Sequence, residues 1–177
     1  AYFLIPDDQK QATHLKIGQL LLEQTSEKER EEKLFDIVNH FNIGTSLITQ
    51  ESKRSKLAEL NLTVGRKAKS ATAYTAAIAY FNTGIALLDE SCWESQYALT
   101  LALYQAKAEA IYLNGDFEQL DAVVNLTLES AKTLLDKIAI YEIQIQACMA
   151  QNQLSEAIKT ALDVLKELGI DLPQTPN

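Results

Sequence analysis

The stretch L-A-E-L-N-L-T-V-G-R-K-A-K-S-A-T-A-Y-T-A-A-I-A-Y-F, residues 57–81, decides how the rest of the chain is read. Leu57, Leu60, Val64 and Ala68 recur at the three- and four-residue steps of one helix face. After a break near Ser70, Tyr74, Ile78, Phe81, Ile85 and Leu88 repeat the same steps. Two amphipathic helices joined by a few residues form an antiparallel hairpin. Small residues, Gly65 and Ala68 in the first helix and Ala77 four positions before Phe81 in the second, let the two approach closely.

Working outward, the same grammar covers almost the whole chain. Toward the N-terminus, a helix is expected over 6–23, with Pro6 in its first turn and Asp7 and Asp8 at the positive end of its dipole. A second is expected from the possible capping box Ser26-x-x-Glu29 to Gly44, with Leu34, Ile37, Val38 and Phe41 inward. The third covers about 51–69, and Ser70 can cap the fourth.

Beyond a connection at 89–95, a fifth helix shows Tyr97, Leu101, Tyr104, Ala108 and Ile111, ending at Asn114-Gly115. Asp116 caps a sixth, with Phe117, Leu120, Val124 and Leu128 inward. The seventh carries Leu134, Ile138, Tyr141, Ile145 and Cys148, and the eighth Leu154, Ile158, Ala161, Leu165 and Leu168. Gly169 suits the residue just past a helix end, and Pro173 blocks continuation.

The fold class is therefore all-α: about eight helices as antiparallel hairpins. The equivalent positions Tyr74, Phe117 and Leu154 lie 43 and 37 residues apart. This is a degenerate version of the tetratricopeptide period of about 34. The expected architecture is a right-handed tetratricopeptide-like (TPR-like) solenoid forming one continuous domain. An N-terminal hairpin spans 1–50, three hairpins span 51–88, 95–129 and 131–168, and a tail spans 170–177.

Composition excludes several functions. The chain has 177 residues, 47% of them hydrophobic, with only 6 Gly and 3 Pro, too few turn residues for an all-β fold. Its net charge of −8 repels phosphate backbones and anionic membrane surfaces, so neither nucleic acid nor membrane is an expected partner. No apolar run is long enough to span a bilayer, and the segment AYFLIP has no signal-peptide form. A cytoplasmic setting is expected. Cys92 and Cys148 are too few for a disulfide scaffold, and Cys148 sits on an apolar stripe. The sequons at Asn61 and Asn125 fall inside expected helices and read as chance.

No catalytic constellation is legible, and no metal or cofactor is expected. His14 and His40 lack metal-ligand spacing, and a site would need partners from another element. GRKAKS, 65–70, lacks the spacing of a phosphate loop. Trp93 is expected to cover the end of the core, with a partner anchor as the alternative. In tetratricopeptide arrays the first helix of each hairpin lines a groove. Counting that pattern marks a candidate concave face: Leu62, Arg66 and Lys69; then Gln105, Glu109 and Tyr112; then Glu142, Gln146 and Met149. Its basic and acidic ends would suit a peptide or a neighbouring domain's helix.

The segments IPDDQKQATHLKIGQLLLE (5–23), EREEKLFDIVNHFNIGTSLIT (29–49), AIYLNGDFEQ (110–119) and AKTLLDKIAIYEIQIQACMAQNQLSEAIKTALDVLKELGIDLP (131–173), with the stretch quoted first, resemble one region of the large cyanobacterial-type multidomain signalling kinases. The resemblance covers nearly the whole chain. It implies a parent with a serine/threonine kinase, an AAA- or STAND-type ATPase, this helical region, a GAF sensor and a histidine kinase. AYFLIP would then be the end of the ATPase module's winged-helix part. The kinase and ATPase motifs are absent, so no catalytic residue carries over to this chain. The implied role is a non-catalytic scaffold that couples the ATPase to the sensor and kinase modules, bound to protein or peptide, in particular neighbouring domains, with a homodimer possible. The alternative is a small-molecule (inducer) sensing domain.

Overall fold

The computed structural model describes residues 6–170, with the side chains of Asp7, Asp8 and Glu27 excepted. The described residues form ten α-helices and a short 3-10 turn, with no strand among them. In order they are α1 (Asp7–Gln24), α2 (Glu27–Glu32), α3 (Leu34–Ile43), the 3-10 turn (Thr45–Leu47), α4 (Glu51–Ser70), α5 (Tyr74–Ala86), α6 (Cys92–Ser95), α7 (Tyr97–Asn114), α8 (Phe117–Ser130), α9 (Leu134–Ala150) and α10 (Leu154–Glu167). The all-α class is as expected. The readings of AYFLIP before Pro6, of the Asp7 and Asp8 carboxylates and of Pro173 fall outside the described residues.

Contacts gather the chain into two compact units, Ala1–Cys92 and Trp93–Asn177. In the first unit, α1 packs on α3 and on the 3-10 turn, α3 on α4, and α4 on α5. The α4–α5 hairpin is held by a close approach. A Cβ on Gly65 would lie 2.4, 2.7 and 2.9 Å from ring carbons of the fully buried Phe81. Beside it, Asn61 is completely buried. Its side-chain amide exchanges two hydrogen bonds with that of Asn42 on α3, at 2.8 and 2.9 Å, and also donates to the Leu57 carbonyl. At the far end, the Arg54 guanidinium donates to the carbonyls of Leu87 and Ala86, satisfying the orphan acceptors that close α5.

The expected second helix is broken at Lys33, where φ is −96° and ψ is 8°. Residues 27–32 are all charged and offer no apolar stripe. The capping box of Ser26 and Glu29 suffices to start α2. The chain then re-aims so that α3 buries Ile37 and Val38. Ser70 does not cap α5 either: α4 runs through it, and α5 begins after Ala73 without a side-chain cap.

In the second unit, α7 packs on α8, α9 on α10, and α9 also on α7 and α8. Asp116 caps α8 by accepting from the Gln119 N–H, as expected. Two stripes face differently from their sequence reading. On α9 the buried residues are Ile140, Ile143 and Ala147 rather than the stripe from Leu134 to Cys148, which is half-buried. A helix packed against three neighbours buries the sector between them, not the middle of its most apolar arc. On α10 only Ala157 and Val164 are buried, while Leu154 and Ile158 are 53% and 60% exposed.

The three hairpin turns share one geometry. Thr72, Gly115 and Asn152 each take a left-handed conformation, with φ of 59°, 77° and 59°. In each case the next residue's N–H reaches back five positions: Ala73 to Ala68, Asp116 to Ile111 and Gln153 to Cys148. This is the Schellman closure of a helix C-terminus. The left-handed residues lie two positions before Tyr74, Phe117 and Leu154, so the equivalence read from sequence holds at the backbone. Gly169 ends α10 the same way, with φ of 80° and Ile170 bonded to Leu165.

Candidate functional site

The nine residues of the expected concave face fall on three helices. On α4, Leu62 is buried in the core of the first unit, Arg66 is exposed and Lys69 is half-buried in the last turn. Leu62 therefore serves packing. The other six belong to the second unit. On α7, Gln105, Glu109 and Tyr112 are half-buried, and the Gln105 side chain donates to the Asp136 carbonyl at 3.0 Å, tying α7 to α9. On α9, Glu142, Gln146 and Met149 are exposed.

Sequence reasoning missed the best-organised polar cluster. The Tyr97 hydroxyl, at the start of α7, donates to an Asp136 carboxylate oxygen at 2.7 Å and accepts from the Lys132 N–H at 2.8 Å. The same Asp136 oxygen accepts from the Thr133 hydroxyl and N–H, completing a capping box that starts α9. The Lys132 ammonium lies 4.4 Å from the centre of the Tyr97 ring. Trp93 packs at the edge, its ring centre 6.1 Å from Tyr97 and 5.1 Å from Tyr104. The hydrogen bonds from Tyr97 and Thr133 hold the Asp136 carboxyl below its ordinary range, and desolvation pushes the Tyr97 phenol up. The cluster locks two helix starts together. The Thr-x-x-Asp spacing at 133–136 was its only local trace in the sequence.

His14 and His40, 26 positions apart, meet in the first unit with their Nδ1 atoms 2.8 Å apart. One ring donates and the other accepts, so the pair joins α1 to α3. Among the described residues, no group of three or more His, Cys, Asp and Glu is placed to hold a metal ion. Cys148 is half-buried, and burial raises its thiol above the ordinary range, which disfavours the reactive thiolate. Asn61, inside one sequon, is fully buried and out of reach of glycosylation.

Fold and site together define a helical-hairpin protein whose polar clusters connect helices. No protein-family model matches the chain, and no solved structure matches it significantly. The chain is similar to the hybrid signal transduction histidine kinase G of Dictyostelium discoideum, 24% identical over an alignment 188 positions long that covers 93% of this chain. It spans only 6% of that protein's length. No helix of the described residues is long and apolar enough to cross a membrane.

Proposed function

We propose that this chain is a non-catalytic, cytoplasmic regulatory segment of a multidomain signal-transduction kinase, which docks onto neighbouring protein modules and couples an ATPase to sensor and kinase modules. The observation that carries this reading is the outer face of α10. Its stripe Leu154, Ile158, Ala161, Leu165 and Leu168 has the spacing of a buried helix face, yet Leu154, Ile158 and Leu168 are exposed. Leu135 and Met149 on α9 are exposed too, at 77% and 57%. An exposed apolar helix face of this kind suits an apolar helix of a partner module. The likeness to a histidine kinase along almost the full chain supports the signalling context, and the repeated turn geometry of the hairpins supports the scaffold role. Among the exposed and half-buried members of the counted face, Glu109, Tyr112, Glu142, Gln146 and Met149 offer a further surface on the second unit for the same purpose, and Arg66 and Lys69 a separate one on the first.

Hydrogen exchange tests this on the chain alone and on a longer form that carries the flanking sequence of its gene. The expected result is slower exchange of α10 in the longer form, lost on Ile158→Glu, with the thermal midpoint of the isolated chain unchanged. Equal exchange of α10 in both forms would refute the docking role. ATPase or kinase turnover by the purified chain would refute the non-catalytic reading.

A further inference from the structure

Independently of that docking surface, the first unit contains a cavity of about 550 Å³ between α1, α3, the 3-10 turn and the start of α4. Gly18 and Gly44 bring α1 onto α3: a Cβ on Gly44 would lie 3.0 Å from the Leu15 Cβ, and one on Gly18 3.4 Å from the His40 Cβ. Farther along, α1 and the first turns of α4 stand across the cavity from each other. Its floor is apolar, with Phe41, Ile48, Leu57 and Leu60 among the lining residues, and Leu22 stands on the α1 wall. Its polar side is asymmetric. Lys53 and Lys56 line the α4 wall, against Glu23 on α1. Lys56 is paired with Glu59 at 2.8 Å. The Lys53 ammonium makes no ion pair or hydrogen bond among the described residues.

We propose that this cavity binds an amphiphilic carboxylate, with its aliphatic body on the apolar floor and its carboxylate at Lys53. The volume falls within the range of about 300–1,000 Å³ usual for small-molecule sites, and such sites pair an apolar lining with few polar groups. A ligand body buried on Leu57 and Ile48 releases water from apolar surface. An anionic head gives Lys53 a partner that the described residues do not supply. With Lys56 held by Glu59, Lys53 is the lining cation without a partner among the described residues, and it favours an anionic head group there. In a regulatory segment, a ligand that bridges α1 and α4 would stabilise the first unit by mass action.

The test is calorimetric titration of the intact chain with octanoate, decanoate and dodecanoate, and with decanol and decyltrimethylammonium as head-group controls. Each added methylene is expected to tighten binding about threefold to fourfold, the factor for burying one methylene. Decanoate is expected to bind several-fold tighter than decanol. Lys53→Gln should remove that advantage while keeping the chain-length dependence. Leu22→Trp, at a partly exposed wall position, should weaken every ligand about tenfold without changing the circular dichroism. Three results would each overturn the proposal: no decanoate binding up to about 1 mM, equal or tighter binding of the cationic amphiphile, or binding indifferent to Leu22→Trp. An adjoining helix filling the cavity would show as loss of decanoate uptake in the longer form, with Lys53 protected there, and would overturn it equally.

Discussion

Replacing Gly65 by alanine tests the packing logic most directly, because two effects of opposite sign meet at one atom. In a helix interior, alanine is favoured over glycine by about 1 kcal/mol. At Gly65 the new methyl would sit 2.4 Å from the Phe81 Cε1, where carbon pairs prefer about 3.5–4.0 Å. Phe81 is fully buried, so the ring cannot swing away, and α4 and α5 must part by about 1 Å. Overpacking of this kind costs about 1–3 kcal/mol. The expected net result is a loss of about 1 kcal/mol, after the propensity gain is subtracted. Gly18→Ala is the control. It lies inside α1 with its nearest neighbours at 3.4 Å, so it should be neutral or stabilise by up to about 1 kcal/mol. The assay is urea unfolding followed by circular dichroism, comparing midpoints at constant slope. Phe81→Leu should hurt the Gly65→Ala protein less than the wild type, since it relieves the clash. A Gly65→Ala protein as stable as Gly18→Ala would refute the close approach as the constraint on this hairpin.

Thr72 is a β-branched residue at φ 59°, where the equivalent turns carry Gly115 and Asn152; Thr72→Asn should raise stability by about 1 kcal/mol, read from the thermal midpoint. Asn61→Ala leaves the half-buried Asn42 amide without its partner and should cost about 1–3 kcal/mol. A double-mutant cycle with Asn42→Ala should then return a coupling of about 1 kcal/mol or more. Asp136 titrates below its ordinary 3.8 in the folded chain, so its stabilising bonds are fully present above pH 3.8 and are lost as the pH falls through the lower folded value. Tyr97→Phe should flatten that acid limb of the stability profile, and identical acid limbs would count against the Tyr97–Asp136 bond.

Much of the backbone was legible in local chemistry. The capping box at Ser26 and Glu29, the cap at Asp116 and the left-handed Gly115 and Gly169 depend on neighbours within a few residues, and they stand where the spacing put them. The hairpin equivalence was legible for the same reason, since each turn needs a residue that tolerates positive φ. Thr72 gave no such signal, because a β-branched side chain is a poor marker of that conformation. The candidate concave face was counted from a repeat pattern. The chain places Leu62 of that face in the core and engages Gln105 between α7 and α9.

What the sequence by itself determined is helix content, most caps and the register of the hairpins, because each is settled within a turn or two of chain. Tertiary structure alone decided which side of a stripe meets a neighbour. Periodicity says that Leu154, Ile158 and Leu165 share a face, but solvent or protein opposite that face depends on elements many residues away. The same holds for the His14–His40 pair, the Asn42–Asn61 exchange, the Tyr97–Asp136 bond and the cavity beneath Lys53. Each joins residues that only the packing of separate helices brings within reach.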